Sequence, residues 1–536
     1  MTIPDGRETA AVPPGAWSPL RRPLFRSLWL AALGSNLGSW VHDVGAAWLM
    51  TSLTPSPLMV GLIPAATGLS FFLLSLPAGA LADILDKRRL LLFAQAWMAL
   101  AALGIGCLAL AGVVGPWLLL GATFVLGIGA ALAAPAWQAM VPELVPVKEV
   151  PVAVALGGLG FNLSRAVGPA LGGVVVATAG SATAFLVNAV SFLGLLGALL
   201  RWRRAPRGSP LPAERLLAAM RAGVRYARHA PALRAVLVRS GLFILCGSAL
   251  WATLPLLARQ RLGLDSARYG LLLAAFGAGA IGSAAGLPRI RKRAPPEAIA
   301  LGAGVLLALA LAALAFVRSM ASALIVLGVA GVPWLALMTS FNVAAQSAVP
   351  SWVRARALSF YGLVFFGGMA GGSAIWGAVA ERTSIQVSLV CAAAALLATV
   401  AVSSRWSLPT FEPGALLPSR HWPTPLVAGS VEDERGPVLV TVEYRADPAR
   451  APEFEAAMRA VGRLRRRDGA VSWALFSDAA EPGRYLETFL VESWAEHLRQ
   501  HERSTMADRP LEERVRSYLP GGMPRVTHYL SAERGR

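Results

Sequence analysis

Apolar runs of 18 to 28 residues recur from Leu28 to Leu200 and again from Val236 to Val402. Each can cross a hydrocarbon core of about 30 Å at a rise of about 1.5 Å per residue. They predict twelve membrane helices near 27–51, 58–82, 89–112, 116–140, 152–178, 182–201, 236–258, 268–288, 298–317, 321–346, 356–380 and 385–404. The segments are apolar all round rather than on one stripe, which excludes a large soluble helical core. After Arg405 the pattern changes. Pro409, Pro413, Pro418, Pro423 and Pro425 mark a stiff linker. Val438, Val440, Val442 and Tyr444 then alternate as a strand, and Phe454, Ala457, Met458, Val461 and Leu464 follow helical spacing. Val471, Trp473 and Leu475 alternate again, as do Tyr485, Glu487, Phe489 and Val491. Ser493 and Glu496 form a capping box before a second helix, and Arg525 to Leu530 gives a last strand. The order βαββαβ is the split-βαβ, ferredoxin-like plan.

The fold class expected is therefore an all-α polytopic membrane protein, two six-helix halves, with a C-terminal α+β ferredoxin-like domain. The divisions are an N-terminal stretch 1–26, a first half 27–201, a loop 202–235, a second half 236–405, a linker 406–437 and a soluble domain 438–531. At 55% hydrophobic and 15% charged, composition agrees. Cys107, Cys246 and Cys391 lie far apart within apolar segments and read as buried free thiols. No cleavable signal peptide is expected, because the first apolar run is long and lacks a small-residue cleavage site.

The net charge of +19 changes the picture once it is located. The chain from Arg405 onward holds 19 basic and 19 acidic residues, so the preceding part carries the whole excess. Alternate membrane loops hold 24 basic residues, the largest group being the ten from Arg201 to Arg239. The opposite loops hold five: Arg259, Arg261, Arg268, Arg318 and Arg382. The positive-inside rule then puts both termini and the 202–235 loop in the cytoplasm. A nucleic-acid protein would gather its basic residues on a folded soluble face, so no nucleic-acid partner is expected.

Within the interiors of the predicted helices, away from their ends, only His42, Asp43 and Arg165 are ionisable side chains of the Asp, Glu, Lys, Arg or His type. A charge at membrane depth costs several kcal/mol, so it is normally paired or faces a watery path. Asp43 and Arg165 lie at similar depth, roughly 25 and 22 Å from the basic ends of their helices. An Asp43–Arg165 pair would neutralise both, and protonation of Asp43 would release Arg165. His42 points about 100° away around the helix and suits packing as well as function. Gln138, Asn342 and Gln346 are candidate cavity residues. They and Gln95, Asn162 and Asn188 suit interhelical hydrogen bonding equally. Trp40, Trp48, Trp137, Trp251, Trp334 and Trp376 could shape an aromatic cavity or anchor at the membrane interface.

The halves carry a faint repeat. Gly168, Pro169, Gly172 and Gly173 align with Gly367, Gly368, Gly371 and Gly372 at a shift of 199. Val141-Pro142 matches Val349-Pro350, and Lys87-Arg88-Arg89 matches Arg291-Lys292-Arg293. Two matched halves suit rocking about a midplane site.

Gly79, Asp83 and the triplet Lys87, Arg88 and Arg89 resemble the loop motif of the major facilitator superfamily. Ile84 and Asp86 depart from it, standing where the family has a basic residue and a glycine. The resemblance implies that Asp83 holds the cytoplasmic gate closed, since a carboxylate near a helix N-terminus gains up to about 1 kcal/mol and accepts from arginine. Gly168, Pro169, Gly172 and Gly173 resemble the helix-five signature of the export branch, where small residues let backbones approach. Thr123 stands where drug antiporters of that branch carry a helix-four arginine. Phrases such as Phe161-Asn162-Leu163-Ser164-Arg165, Pro142-Glu143-Leu144-Val145-Pro146 and Phe365-Phe366-Gly367-Gly368-Met369 resemble the enterobactin-exporter and macrolide-efflux branch. The whole-chain resemblance implies a bacterial inner-membrane exporter of small organic molecules, siderophore- or drug-like, driven by protons and without cofactor. A receptor or sensor on the transporter fold is a competing class.

The tail resembles the antibiotic-biosynthesis-monooxygenase type of α/β barrel. It is expected to dimerise or regulate; a tail enzyme is the competing reading. His497 and His501, one turn apart, could line a pocket or bind metal. Without a third ligand they read as a solvated helix face, and no metal site is expected.

Overall fold

Prolines and side-chain caps set where the helices begin. Pro23, Pro57, Pro116 and Pro296 stand at first positions, where proline's missing N–H costs nothing. Ser56, Asp86 and Asp265 each accept the backbone N–H three residues on, satisfying an otherwise orphaned donor. The computed structural model describes residues 17–202, 224–226, 228–403, 405–408, 415–419, 422, 432, 435–520 and 524–532. Most of the 202–235 loop, most of the 406–437 linker and the Asp83 side chain lie outside the described residues.

The membrane helices are α1 (Pro23–Leu53), α2 (Pro57–Ile84), α3 (Lys87–Leu110), α4 (Pro116–Leu144), and α5 and α6, the two arms of Val150–Arg201. The arms part at Gly180, whose φ of 81° suits glycine and breaks the helix. The second set is α7 (Pro231–Leu256), α8 (Ser266–Arg291), α9 (Pro296–Phe316), α10 (Met320–Ser347), α11 (Arg354–Arg382) and α12 (Ile385–Ser403). Among the described residues ten helical segments are long and apolar enough to span a membrane, Val150–Arg201 counting once and α1 not among them. Several helices start earlier than their apolar runs, α1 at Pro23 rather than 27 and α7 at Pro231 rather than 236. Hydropathy sees only the apolar stretch, while the backbone keeps its hydrogen bonds into the polar margin. Cys107 and Cys391 are exposed on the helix surface, and only Cys246 is buried. An apolar residue in a membrane helix has no need to face protein.

The soluble tail holds β1 (Val438–Arg445), α13 (Ala451–Asp468), β2 (Ser472–Ser477), β3 (Arg484–Val491), α14 (Trp494–Arg503), α15 (Arg509–Arg516) and β4 (Arg525–Leu530). The sheet is antiparallel in the order β2-β3-β1-β4, as the split-βαβ plan requires. Val440, Val442, Phe454, Met458 and Phe489 fill its core. Glu487 sits fully buried among them because Tyr444 Oη, Trp473 Nε1 and Arg465 Nε all donate to it, at 2.7, 2.8 and 3.1 Å. Ser493 caps α14 as expected, accepting from Glu496 N–H. The Glu496 carboxylate does not complete a capping box; it is engaged by Arg503.

The chain divides into two compact units. One holds most of both membrane halves. The other holds the tail together with residues 214–238 and 341–361, the basic-end stretches of α7, α10 and α11.

Candidate functional site

Within the membrane unit, the halves approach each other through small residues. A Cβ built on Gly173 of α5 would lie 2.6 Å from Ser266 O and 2.8 Å from Gly270 Cα of α8. One on Gly277 of α8 would lie 2.8 Å from Ala166 Cα of α5. On the other side, a Cβ on Gly61 or Gly68 of α2 would lie 2.7 or 2.8 Å from Ser373 O or Phe366 O of α11. Phe71 and Phe366 stack at 4.2 Å. Gly168 and Gly172 instead accommodate Trp40 and Val41 of α1 in the same half. The glycine motif of α5 therefore serves two interfaces, one inside the first half and one between halves.

The second half repeats this geometry one residue out of the expected register. Gly368 and Gly372 of α11 lie against Ile244, Leu245 and Ser248 of α7, as Gly168 and Gly172 lie against α1. Structural equivalence is thus a shift of 200, with Ser373 in the place of Gly173. The alignment at 199 matched glycine to glycine, whereas the repeat conserves which face meets which helix.

At the end away from the basic triplets, polar bonds pin the halves. Glu381 of α11 accepts from Ser56 Oγ at 2.8 Å and from Leu58 N at 3.0 Å, at the start of α2. An acceptor there meets the helix N-terminal N–H groups and positive dipole end. Arg259 donates to Thr51 Oγ1 at 3.0 Å and lies 5.4 Å over the Trp48 ring. The approaches between halves described above all fall between this end and the level of Phe71 and Gly277.

At the basic end, several described bonds join elements of the same half, among them Arg239 of α7 with Glu297 of α9 at 2.7 Å in the second. Lys87 pairs with Glu143 at 2.8 Å, and Arg22 with Glu149 at 2.8 Å. Arg88 donates to the last carbonyls of α6, Leu199 O and Leu200 O, at 3.0 and 2.9 Å. That caps the helix and meets its negative dipole end. Asp86, not Asp83, occupies a helix N-terminus, accepting from Arg89 N at 2.9 Å. Asp83 lies in the last turn of α2, so the dipole argument made for it belongs to Asp86.

The buried charges are not arranged as the depth argument expected. No ion pair joins Asp43 to Arg165. Asp43 is exposed. Arg165 has its guanidinium 5.7 Å over the Phe276 ring of α8, and its buried Nε has no partner. The two are not at equal depth: Ser164 bonds Leu33 O and Gly168 meets Trp40, while Gly172 meets Val41 and Val44, so Asp43 stands level with Gly172, about seven residues or roughly 10 Å along α5 from Arg165. His42 is buried, tilted 4.6 Å from Phe185, with Nδ1 unpartnered.

Phe276, which the sequence did not single out, joins an aromatic cluster with Trp251 and Trp334 at 5.2 and 6.0 Å, and those two lie 5.7 Å apart. Arg165 thus reaches from the first half to an aromatic group in the second. Trp376 is spent elsewhere, donating to Leu245 O at 2.7 Å. Gln138 is exposed on α4, while Gln346 donates to Asn342 Oδ1 at 2.7 Å. Gly79, in α2, has open space where a Cβ would go.

In the tail, His497 is not on a solvated face. It is buried, with the rings of His501 and His528 at 4.9 and 4.7 Å. Burial, then the neighbouring histidines, push His497 down to about 3; burial pushes His501 down to about 4. Among the described residues no group of three His, Cys, Asp or Glu side chains could hold a metal ion.

A family model described as transmembrane secretion effector matches residues 14–536. The multidrug efflux pump Tap of Mycolicibacterium fortuitum is 26% identical over 388 residues, covering 69% of this chain and 92% of Tap. The staphyloferrin A transporter of Staphylococcus aureus is 25% identical, covering 48% of this chain and 64% of that one. The enterobactin exporter EntS of Citrobacter koseri is 30% identical over 263 residues, covering 48% of this chain and 61% of EntS. The chain thus spans most of the pump but about three fifths of each siderophore transporter. Among solved structures, a bacterial homologue of the lysosomal transporter Spinster, inward-facing and occupied, aligns at TM-score 0.57. Identity is 16%, covering 73% of this chain and 98% of that one. The nucleoside transporter NupG aligns at TM-score 0.58, with 14% identity, 72% of this chain and 99% of NupG covered. At such identities the likeness is one of fold.

Proposed function

The chain belongs to the transmembrane secretion effector family, and on that premise we propose that it exports small organic molecules, siderophore- or drug-like, by alternating access. It is a multi-pass membrane transporter rather than an enzyme. The observation that carries the reading is the one-sided contact between its halves. They are pinned by Glu381 and Arg259 at one end and meet through Gly173–Gly270 and Gly61–Ser373, while at the other end the pairs Lys87–Glu143, Arg22–Glu149 and Arg239–Glu297 each lie within one half. The loop charges support placing that second end, and both termini, in the cytoplasm of a bacterial cell. The state described is then open to the cytoplasm, ready to load an export substrate.

In this reading Arg165 and the Trp251–Phe276–Trp334 cluster form the substrate floor. A cation beside rings packed edge to face suits a ligand with a flat apolar body and oxygen acceptors. The names of the pump and siderophore transporters support that class. Asp43, exposed and without an ion pair, is the proton-coupling candidate, with His42 beside it. Gln138, Asn342 and Gln346 are proposed to line the route. Asp83, with Gly79 and the Lys87–Arg89 triplet, is proposed to close the cytoplasmic gate in the opposite state. The tail is proposed to dimerise through its open sheet face, where Leu439, Phe476, Leu486 and Tyr529 are exposed.

Export is tested in inside-out vesicles with and without an imposed pH gradient, across siderophores, macrolides and cationic dyes. The reading expects gradient-dependent accumulation of at least one class. Accumulation of none by correctly inserted protein would leave the sensor alternative in its place.

A further inference from the structure

The unit that holds the tail also holds two short stretches of the membrane half: the segment leading into α7, and the link between α10 and α11. Tyr226, Ala230 and Leu233 from the first pack with Val349, Val353 and Ala357 from the second. Tyr226 stands edge-on to Trp352 at 5.6 Å. The tail completes this small core. Arg503 of α14 lies 4.4 Å over the Trp352 ring, and Arg467 of α13 lies 5.9 Å from the Tyr226 ring. Arg225 and Glu496 form an ion pair at 3.2 Å.

These charges are held from behind as a set. Arg503 donates to Asp468 O at 2.6 Å and to Glu496 Oε2 at 3.0 Å. Arg467 binds Asp468 at 2.6 Å and Asp508 at 2.7 Å. Asp508 in turn accepts from the Thr505 N–H and hydroxyl at 2.9 and 2.8 Å. Arg503, Asp468 and Asp508 are only 5%, 4% and 7% exposed. Buried guanidinium groups with every oxygen partner in place, aimed at two aromatic rings, make a built interface rather than a chance surface contact. Tyr226 is 3% exposed because of it.

We infer that the tail is docked in cis on the stretches leading into α7 and α11, and acts as a clamp on the basic end of the second half. Helix α14 is the element that connects the two. It turns Glu496 and Arg503 toward Arg225 and Trp352, while His497 is buried on the side facing His528. A change in the tail that shifts α14, through dimerisation or ligand binding, is then felt at the start of α7 and α11. Those helix ends must move for the cytoplasmic side to close, so the docked tail favours the open state. The docking rests on tail geometry alone; its effect on access rests on the alternating-access reading.

The test uses the full chain in membranes, with the double variant Arg225→Ala/Trp352→Ala and a second variant, Trp352→Phe, which keeps a ring under Arg503. Hydrogen exchange reads docking. Alkylation of a cysteine at Gln138, with Cys107, Cys246 and Cys391 replaced by alanine, reads access. The double variant should raise exchange of α14 and residues 228–238 at least tenfold while β1 and β3 stay protected. It should also slow alkylation at least fivefold. Trp352→Phe should leave both near the parent values. Unchanged exchange in the double variant overturns the docking. Raised exchange with unchanged alkylation overturns the clamp and leaves the transport reading untouched, since export by the parent chain is measured separately.

Discussion

Gly173→Ala should shift the transporter away from the state described here without unfolding it. The added Cβ would stand 2.6 Å from Ser266 O and 2.8 Å from Gly270 Cα. Both are backbone atoms on α8, so neither can rotate away. Ordinary contact begins near 3.4 Å, so α5 and α8 must part by roughly 0.6–0.8 Å. A gap of that order forfeits a quarter to a half of the dispersion between facing atoms, and overpacking of this kind costs about 1–3 kcal/mol. The strain exists only while the halves touch here, so it biases the balance of states about 5- to 150-fold toward opening at the Glu381 end. Spin labels at Ser52 and Thr383, both exposed near that end, would read the change as a longer distance population. Two controls fix the interpretation. Gly197→Ala meets nothing within 4 Å and should leave the distances alone. Gly172→Ala presses on Val41 and Val44 inside the first half, so it should lower thermal stability without moving the balance. If Gly173→Ala only lowers stability, or Gly172→Ala moves the distances as far, the glycine strip is packing and not a hinge surface.

Three further outcomes are expected. Glu381→Gln keeps the shape but removes the charge that accepts from Ser56 and Leu58; the bond is exposed, so the same spin-label balance should move only about two- to fivefold, for about 0.4–1 kcal/mol. Asp43→Asn and Arg165→Gln should lower protein level additively, because no ion pair joins them, and recovery in the double variant would show that they pair in another state. The tail should lose stability as pH falls. His497 is pushed down to about 3 when folded against an ordinary 6.5, so the penalty is absent above about pH 6.5 and grows toward pH 3 as the unfolded chain takes up protons first. For His497 alone that is about 2 kcal/mol by pH 5, seen as faster exchange of α14, and His497→Phe should flatten the dependence.

The helices were legible because a membrane demands long apolar runs, and the tail's strand order followed from alternation at inward positions such as Val440, Val442 and Phe489. The repeat was legible as glycine spacing, but its register was not. Spacing cannot say that Gly168 faces Trp40 while Gly173 faces Gly270. Asp43 and Arg165 misled for a related reason: counting from each helix's basic end gave them one depth, but how far α1 and α5 slide past each other is set by packing, which puts Asp43 level with Gly172 rather than Arg165. Phe276 escaped notice because a phenylalanine in an apolar run carries no signal until Arg165 is found above it. His497 and His501 read as solvated because His528, some 30 residues on, approaches only when β4 joins the sheet beside β1.

The cis docking of the tail has a consequence for how the protein is made. Synthesis runs from the first residue to the last, so Tyr226 and Trp352 are inserted and in place long before Arg467 and Arg503 exist. Through that interval two aromatic rings on the basic side have no cover. Any chain stopped in the Pro-rich linker would keep all twelve membrane helices and expose that patch permanently. Completion of the tail is therefore readable from outside as the disappearance of one patch that bears Tyr226 and Trp352. A quality-control protease that recognises exposed aromatic segments would separate finished molecules from truncated ones without inspecting the membrane helices at all.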